Sequence, residues 1–151
     1  MLRQRLNDAL KETLKTKDQI GLSTVRLILA ALKDRDIAAR GKGNKDGIAE
    51  DEILGLLQGM IKQRQESIAL YEKGGRLELA EQEKGEIAVI ERFLPKQMSE
   101  AEMAEAVRAA ISETGAQTLK DMGKTMAALK SRYAGQMDFA KASALVKQSL
   151  S

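Results

Sequence analysis

The sequence predicts an all-α protein: an N-terminal helical domain with a long antiparallel hairpin, joined to a small three-helix C-terminal domain. Three observations predict it. The 151 residues are rich in Ala, Leu, Glu, Lys, Gln and Arg, the strongest helix formers, and aromatics make up only 3%. Apolar residues recur at spacings of three and four, and no useful stretch alternates with period two. The single proline, Pro95, is followed by Ser99-Glu100-Ala101-Glu102, the S-x-x-E pattern of a capping box. A helix that stops before a proline and another that starts at a capping serine place a boundary between them. The expected domains are therefore residues 1–95 and 96–151.

The first helix is expected from Leu2 to Lys15, because Leu2, Leu6, Leu10 and Leu14 recur every four residues. Lys11, Lys15 and Lys17 gather at its end, where cations suit the helix dipole. Gly21 reads as an interruption. A second helix is expected from Leu22 to Arg40, with Ser23 or Thr24 as N-cap and Val25, Ile28, Leu29 and Leu32 facing inward. The stretch RGKGNKDG, Arg40 to Gly47, has the composition of a flexible loop and lacks the spacing of a phosphate-binding loop.

The third helix, Ala49 to Lys73, opens with Glu50, Asp51 and Glu52. These acids suit a helix N-terminus, and that reading outweighs a divalent-metal cluster. Its inner stripe of Ile53, Leu56, Leu57, Met60, Ile61, Ile68 and Tyr71 is interrupted by Arg64. The fourth helix, Arg76 to Leu94, carries Ala80, Ile87, Ile90 and Leu94, with Glu83 and Gly85 as interruptions. Gly74-Gly75 between the two predicts an antiparallel hairpin, in which Arg64 and Glu83 form a half-buried ion pair that fixes register. After Pro95, helices are expected from Ser99 to Gly115, from Leu119 to Tyr133 and from Asp138 to Leu150. Met103, Met122, Met126 and Met137 read as core filler rather than as a peptide-binding groove.

Absent residues limit the chemistry. There is no His, Cys or Trp. Cys–His and Ser–His–Asp nucleophile systems are ruled out, as are thiolate or imidazole zinc, iron–sulfur clusters and disulfides. No cofactor and no metal are expected. No apolar run is long enough for a membrane span, so no membrane partner is expected. The missing Cys and the lack of a secretory h-region lead to an expectation of a cytoplasmic protein.

Charge is segregated along the chain. Residues 1–45 carry a net +6, residues 46–102 a net −6 and residues 103–151 a net +3. Two basic segments could attract an anion. In the last one, acids thin out after Glu113, leaving a candidate phosphate-binding face. Its candidate residues are Lys124, Arg132, Lys141 and Lys147.

The motifs also resemble a known family. LSTVRLILAALK (Leu22–Lys33), MIKQRQESIALYEKGGRLELAEQEKGEIAVIERFLPKQMSE (Met60–Glu100), DMGKTMAAL (Asp121–Leu129) and LVKQSL (Leu145–Leu150) are similar to the GatB/YqeY family, and to its stand-alone YqeY-like members in particular. The resemblance covers nearly the whole chain. It implies kinship with the tail domain of the B subunit of aspartyl/glutamyl-tRNA amidotransferase, a carbon–nitrogen ligase with glutamine as amido-N-donor. It also implies a helical N-terminal domain, a three-helix tail and a role in holding tRNA. At motif level it points to Lys124 in DMGK and Lys147 in LVKQSL; Arg132 and Lys141 come from the charge pattern alone. The catalytic parts of the amidotransferase have no counterpart here.

Three functions follow as expectations. The first is a tRNA-binding helical module. The alternatives are a component of a carbon–nitrogen ligase and a helical protein–protein adaptor, with a partner in an aminoacyl-tRNA or amidotransferase context. Catalysis by the isolated chain is not expected. The purified chain should therefore neither release ammonia from glutamine nor consume ATP. Ammonia above the blank, lost on changing Ser112, Ser131 or Ser143 to Ala, would show that a serine nucleophile has been missed.

Overall fold

A computed structural model describes residues 1–151. The chain is all-α. Its helices are α1 (Leu2–Thr16), α2 (Gln19–Gly41), α3 (Glu50–Lys73), α4 (Leu77–Glu91), α5 (Glu100–Thr114), α6 (Met122–Tyr133) and α7 (Phe139–Leu150). A 3₁₀ turn, Leu119–Asp121, leads into α6. The chain divides into two compact units, Met1–Pro95 and Lys96–Ser151.

The first unit has a core of aliphatic side chains. Leu2 and Leu6 of α1 meet Val25, Ile28 and Leu32 of α2, Ile53, Leu56 and Leu57 of α3, and Val89 and Ile90 of α4. Phe93 is the one aromatic among the buried residues of this core. Arg5 closes over it, with the guanidinium 5.6 Å from the ring centre. The leucine stripe of α1 does not stay buried along its length: Leu14 is 51% exposed, and Thr13 takes the inner position. The reason is geometric. A helix turns about 100° per residue, so a strict four-residue repeat drifts about 40° at each step. By Leu14 the stripe has rotated out of the interface.

The second helix begins earlier than the sequence predicts. Its N-cap is Asp18, whose Oδ1 accepts the Gly21 N–H at 2.9 Å. Gly21 is thus part of the first turn and does not interrupt the helix. A Cβ there would fall 2.3 Å from Asp18 Oδ2 and 2.9 Å from Thr13 Cγ2, so the folded-over cap requires glycine. Farther along, Ile20 lies against Gly85 of α4, 3.6 Å from where a Cβ would stand. That is an ordinary contact, and packing does not demand glycine at position 85.

The Arg40–Gly47 segment differs from a free loop because Asp36 ties down its far end. Asp36 accepts two bonds from the Arg3 guanidinium, at 2.6 and 2.9 Å, and one from the Ile48 N–H at 2.9 Å. Arg3 also donates to the Ile48 carbonyl at 2.8 Å. Asn44 Nδ2 donates to the Gly47 carbonyl at 2.8 Å. Gly47 has φ +84°, and a Cβ would sit 2.4 Å from Asp36 Oδ1, so both backbone conformation and space select glycine. One carboxylate thus joins α1, α2 and the approach to α3.

Glu50 opens α3 and accepts the Leu2 N–H at 2.8 Å, so it serves the first turn of α1 as well as its own helix. Where α3 packs on α4, the Arg64 guanidinium lies 3.8 Å from the Glu83 carboxylate and 3.5 Å from that of Glu86. The side chains are 12%, 21% and 12% exposed, which makes this a half-buried triad. Glu86 was not visible as a partner in the sequence, because it lies outside the interrupted stripe.

In the second unit Met103, Ala106, Val107 and Ala110 of α5 pack with Leu129 of α6, Met137, and Ala142 and Val146 of α7. Met122 and Met126 flank that core. Ser99 caps α5: its Oγ accepts the Glu102 N–H at 3.1 Å, and Glu102 accepts the Ser99 N–H at 3.0 Å. That backbone bond holds the Glu102 carboxyl below its ordinary range. The irregular lead into α5 is pinned to the turn before α7, with Met98 N–H donating to the Gln136 carbonyl at 2.8 Å.

The Asp36 arrangement predicts an acid sensitivity. Hydrogen bonding from Arg3, reinforced by the Ile48 N–H, holds the Asp36 carboxyl at about 2. Its folded value lies below its unfolded one, so the stabilisation is complete above the unfolded value of about 4. It is lost as pH falls through the folded value. Asp36→Asn should cost about 1–2 kcal/mol at neutral pH, after allowance for solvent screening. In urea melts the gap between wild type and variant should close as pH drops from about 5 toward 2. A gap that stays constant across that range would contradict the assignment.

Candidate nucleic-acid interface

The candidate cations lie on α6 and α7 of the second unit, and the sequence accounts for both helices. At α6, the Asp121 carboxylate accepts the Gln117 N–H at 2.9 Å and the Thr118 N–H at 3.2 Å. These bonds, with the charge of Lys124 adding to them, hold Asp121 below the ordinary carboxylate range. It stays ionised in the turn that starts α6. At α7, Asp138 Oδ1 accepts the Ala140 N–H at 3.0 Å and the Lys141 N–H at 3.3 Å. That is an N-cap of standard form.

The four predicted residues are all exposed, and the structure places them in different settings. Lys124 Nζ is 3.5 Å from Asp121 Oδ1, three residues back. Arg132, in the last turn of α6, forms an ion pair with Glu113 of α5. Lys141 and Lys147 form no ion pair. Ala142 and Val146 are the buried residues of α7. With about 100° per residue, Lys141 and Lys147 stand at the two edges of the solvent-facing arc, about 120° apart. The residues do not converge on one point: they spread along α6 and around α7. Such an arrangement suits contacts to successive groups of an extended anion and does not form a pocket for one small ion.

Lys141 also borders a groove between α5 and α7, a cavity of about 440 Å³. Met103, Ala104, Ala144 and Leu145 make its apolar part, and Glu100 and Gln148 its polar edge. Lys147 does not line it. Two residues that shape this face were missed from sequence. Asp121 has a local signal, the T-x-x-D pattern from Thr118 to Asp121. Glu113 has none, because its partner lies nineteen residues away and meets it only through packing. The acidic start of α3 does not form a metal cage: Glu50 and Glu52 accept backbone N–H groups, and no group of three such side chains has the geometry to hold an ion.

The fold and the face together define a class, a two-unit helical protein that presents unpaired lysines on its last helix. A model of the YqeY-like protein family matches residues 3–150, and the chain belongs to that family. Among curated proteins it is similar to the altered inheritance of mitochondria protein 41, mitochondrial, of Lachancea thermotolerans. That match is 33% identical over 89 residues, covering 59% of this chain and 46% of the relative. The Candida glabrata protein of the same name is 34% identical over 89 residues, 59% of this chain and 47% of its own length. An uncharacterized protein of Schizosaccharomyces pombe is 30% identical over 99 residues, covering 66% of this chain and 73% of that protein. The chain spans about half the length of the mitochondrial relatives it matches.

These findings correct one expectation and bear out another at the coarser level of the family. The named relatives are mitochondrial proteins, so the cytoplasmic assignment is withdrawn. It rested on missing cysteines and a missing secretory h-region, and neither test bears on an organelle address, which is written in amphipathic, Arg-rich, acid-poor segments. Membership is also shown at the level of the YqeY-like family, and these relatives carry a mitochondrial-inheritance name rather than that of the amidotransferase B subunit. No helix is long and apolar enough to cross a membrane.

The cap of α7 offers a check on how Lys141 and Lys147 are held. Asp138→Ala removes the oxygen that accepts from Ala140 and Lys141, and should cost about 1 kcal/mol. Asp138→Ser should restore most of it, as read by urea denaturation. Equal stability of the Ala variant and wild type would mean that α7 does not depend on this cap.

Proposed function

We propose that the second unit binds RNA, tRNA in particular, through phosphate contacts made by α6 and α7. One observation carries the reading: Lys141 and Lys147 are exposed, bear no ion pair and stand at either edge of one helix face. The pairing of Lys124 with Asp121 and of Arg132 with Glu113 makes these two secondary contacts. Each must exchange a carboxylate for a phosphate, which lowers its net gain. Kinship with the amidotransferase tail, implied by DMGK and LVKQSL, supports the same reading. On this account the chain contributes binding, and any carbon–nitrogen ligation belongs to a separate catalytic partner.

The adaptor reading has one observation in its favour, the groove between α5 and α7. Its Met103 and Leu145 lining would suit a partner's apolar side chain. The two readings separate by salt dependence. Contacts to three or four phosphates give a slope of log affinity against log salt of roughly −2 to −4. In a gel-shift series with tRNA, Lys141→Glu with Lys147→Glu should keep the fold and weaken binding about tenfold or more at low salt. The slope should flatten by roughly 1.5–2. An unchanged slope with the fold intact would remove the RNA reading and leave the adaptor.

A further inference from the structure

The first unit holds a second basic surface that the RNA reading does not use. A groove of about 310 Å³ runs between α1 and α2. Leu29, Leu32 and Ile37 form its floor, and Arg3, Lys33 and Arg40 its rim. We propose that this groove docks an acidic amphipathic helix of a partner protein.

The spacing on α2 is the first argument. Arg26, Lys33 and Arg40 recur every seven residues, as do Leu22 and Leu29, and Ile37 continues the apolar row. At about 100° per residue all six fall within an arc of about 80°. That arc lies beside the buried stripe of Val25, Ile28 and Leu32 and outside it. A seven-residue alternation of apolar and cationic positions on an outer face matches the surface that a helix offers to another helix, apolar at the seam and charged at its flanks.

Exposure and charge are the second argument. Ile37, in the last turns of α2, is 56% exposed, and it adds accessible apolar surface to the groove beside Leu29. Arg26, Lys33 and Arg40 are exposed and make no salt bridge, although the charge of Arg40 adds to that of Arg3 in holding Asp36 ionised. The groove holds one carboxylate, Asp36, and it is occupied by Arg3 and the Ile48 N–H. Arg3 and Asp36 thereby cancel, and Lys33 and Arg40 set the charge of the groove. The complementary occupant carries Glu or Asp at heptad spacing, about 10 Å apart along its axis, on either side of a leucine row.

The floor decides between a protein and a nucleic acid. Phosphates gain nothing from covering Leu29 and Ile37, and no aromatic side chain lines the groove on which a base could stack. An apolar row flanked by acids gains from both features. This site lies in a different unit from the RNA-binding face, so either can fail without the other.

The test uses the full chain and a labelled synthetic peptide of ~21 residues, helical, with Leu at the a and d positions of its heptads and Glu at e and g. Fluorescence anisotropy should show saturable binding that weakens with salt. Lys33→Glu with Arg40→Glu should weaken it about tenfold and create affinity for the matching Lys peptide. Ile37→Ser, at an exposed site, should weaken the acidic peptide roughly fivefold with little change in salt dependence. Lys33→Gln with Arg40→Gln serves if the charge reversal disturbs folding. Four results would overturn the proposal: no saturable binding, equal binding of the Lys and Glu peptides to wild type, no effect of Ile37→Ser, or tRNA losing affinity in the same variants by the same factor as the peptide.

Discussion

The first unit depends on one carboxylate. Asp36 takes both arms of the Arg3 guanidinium and the N–H of Ile48, so a single side chain fixes how α1 lies on α2 and where the chain re-enters toward α3. Its consequences spread outward. Ile48 can reach the core only because its N–H and carbonyl are satisfied at Asp36 and Arg3. Gly47 is required because a Cβ would strike that carboxylate. The bond also neutralises the one acid in the α1–α2 groove, leaving Lys33 and Arg40 to define its charge. A polar network in which every partner is satisfied can specify one arrangement where aliphatic packing alone tolerates several.

Specification of this kind is needed because the cores contain few large rigid side chains. Phe93 is the single aromatic buried in the first unit, and the second is built around Met, Ala, Val and Leu. Met and Ala fill space without imposing a unique fit. Polar devices supply the missing register: the Asp36 bracket, the Arg64 triad with Glu83 and Glu86, and the capping box at Ser99. Lysines and arginines not taken up by pairing, Lys33 and Arg40 on α2 and Lys141 and Lys147 on α7 among them, are the residues on which the two binding proposals rest.

Much of this was legible in the sequence, and the limits have physical causes. Seven helices were readable because helical periodicity and caps are local signals. Ser99 and Asp138 open α5 and α7 as their side chains predict. The start of α2 was misplaced because Gly21 was read by its average behaviour, when its role is to make room for Asp18. Leu14 was placed inside because a four-residue repeat looks like a straight stripe in a sequence and is a spiral on a helix. The Arg40–Gly47 segment looked free because its anchor, Asp36, lies upstream in the helix and its second anchor, Arg3, lies at the other end of the chain segment. The four candidate cations are exposed, but they are unequal for reasons only partly local: Asp121 stands three residues before Lys124, a spacing that a sequence shows, whereas Glu113 reaches Arg132 only in the folded unit.

The Asp36–Ile48 bond holds the approach to α3 in register with α2, and amide hydrogen exchange at Ile48 reads it directly. In wild type the Ile48 N–H should exchange as slowly as amides inside α2, through opening of the whole unit. In Asp36→Ala it should exchange orders of magnitude faster, while the amides of α7 keep their wild-type rates. An Ile48 amide that exchanges in wild type at the rate of an unprotected amide would contradict this, because the carboxylate would then not be holding the chain.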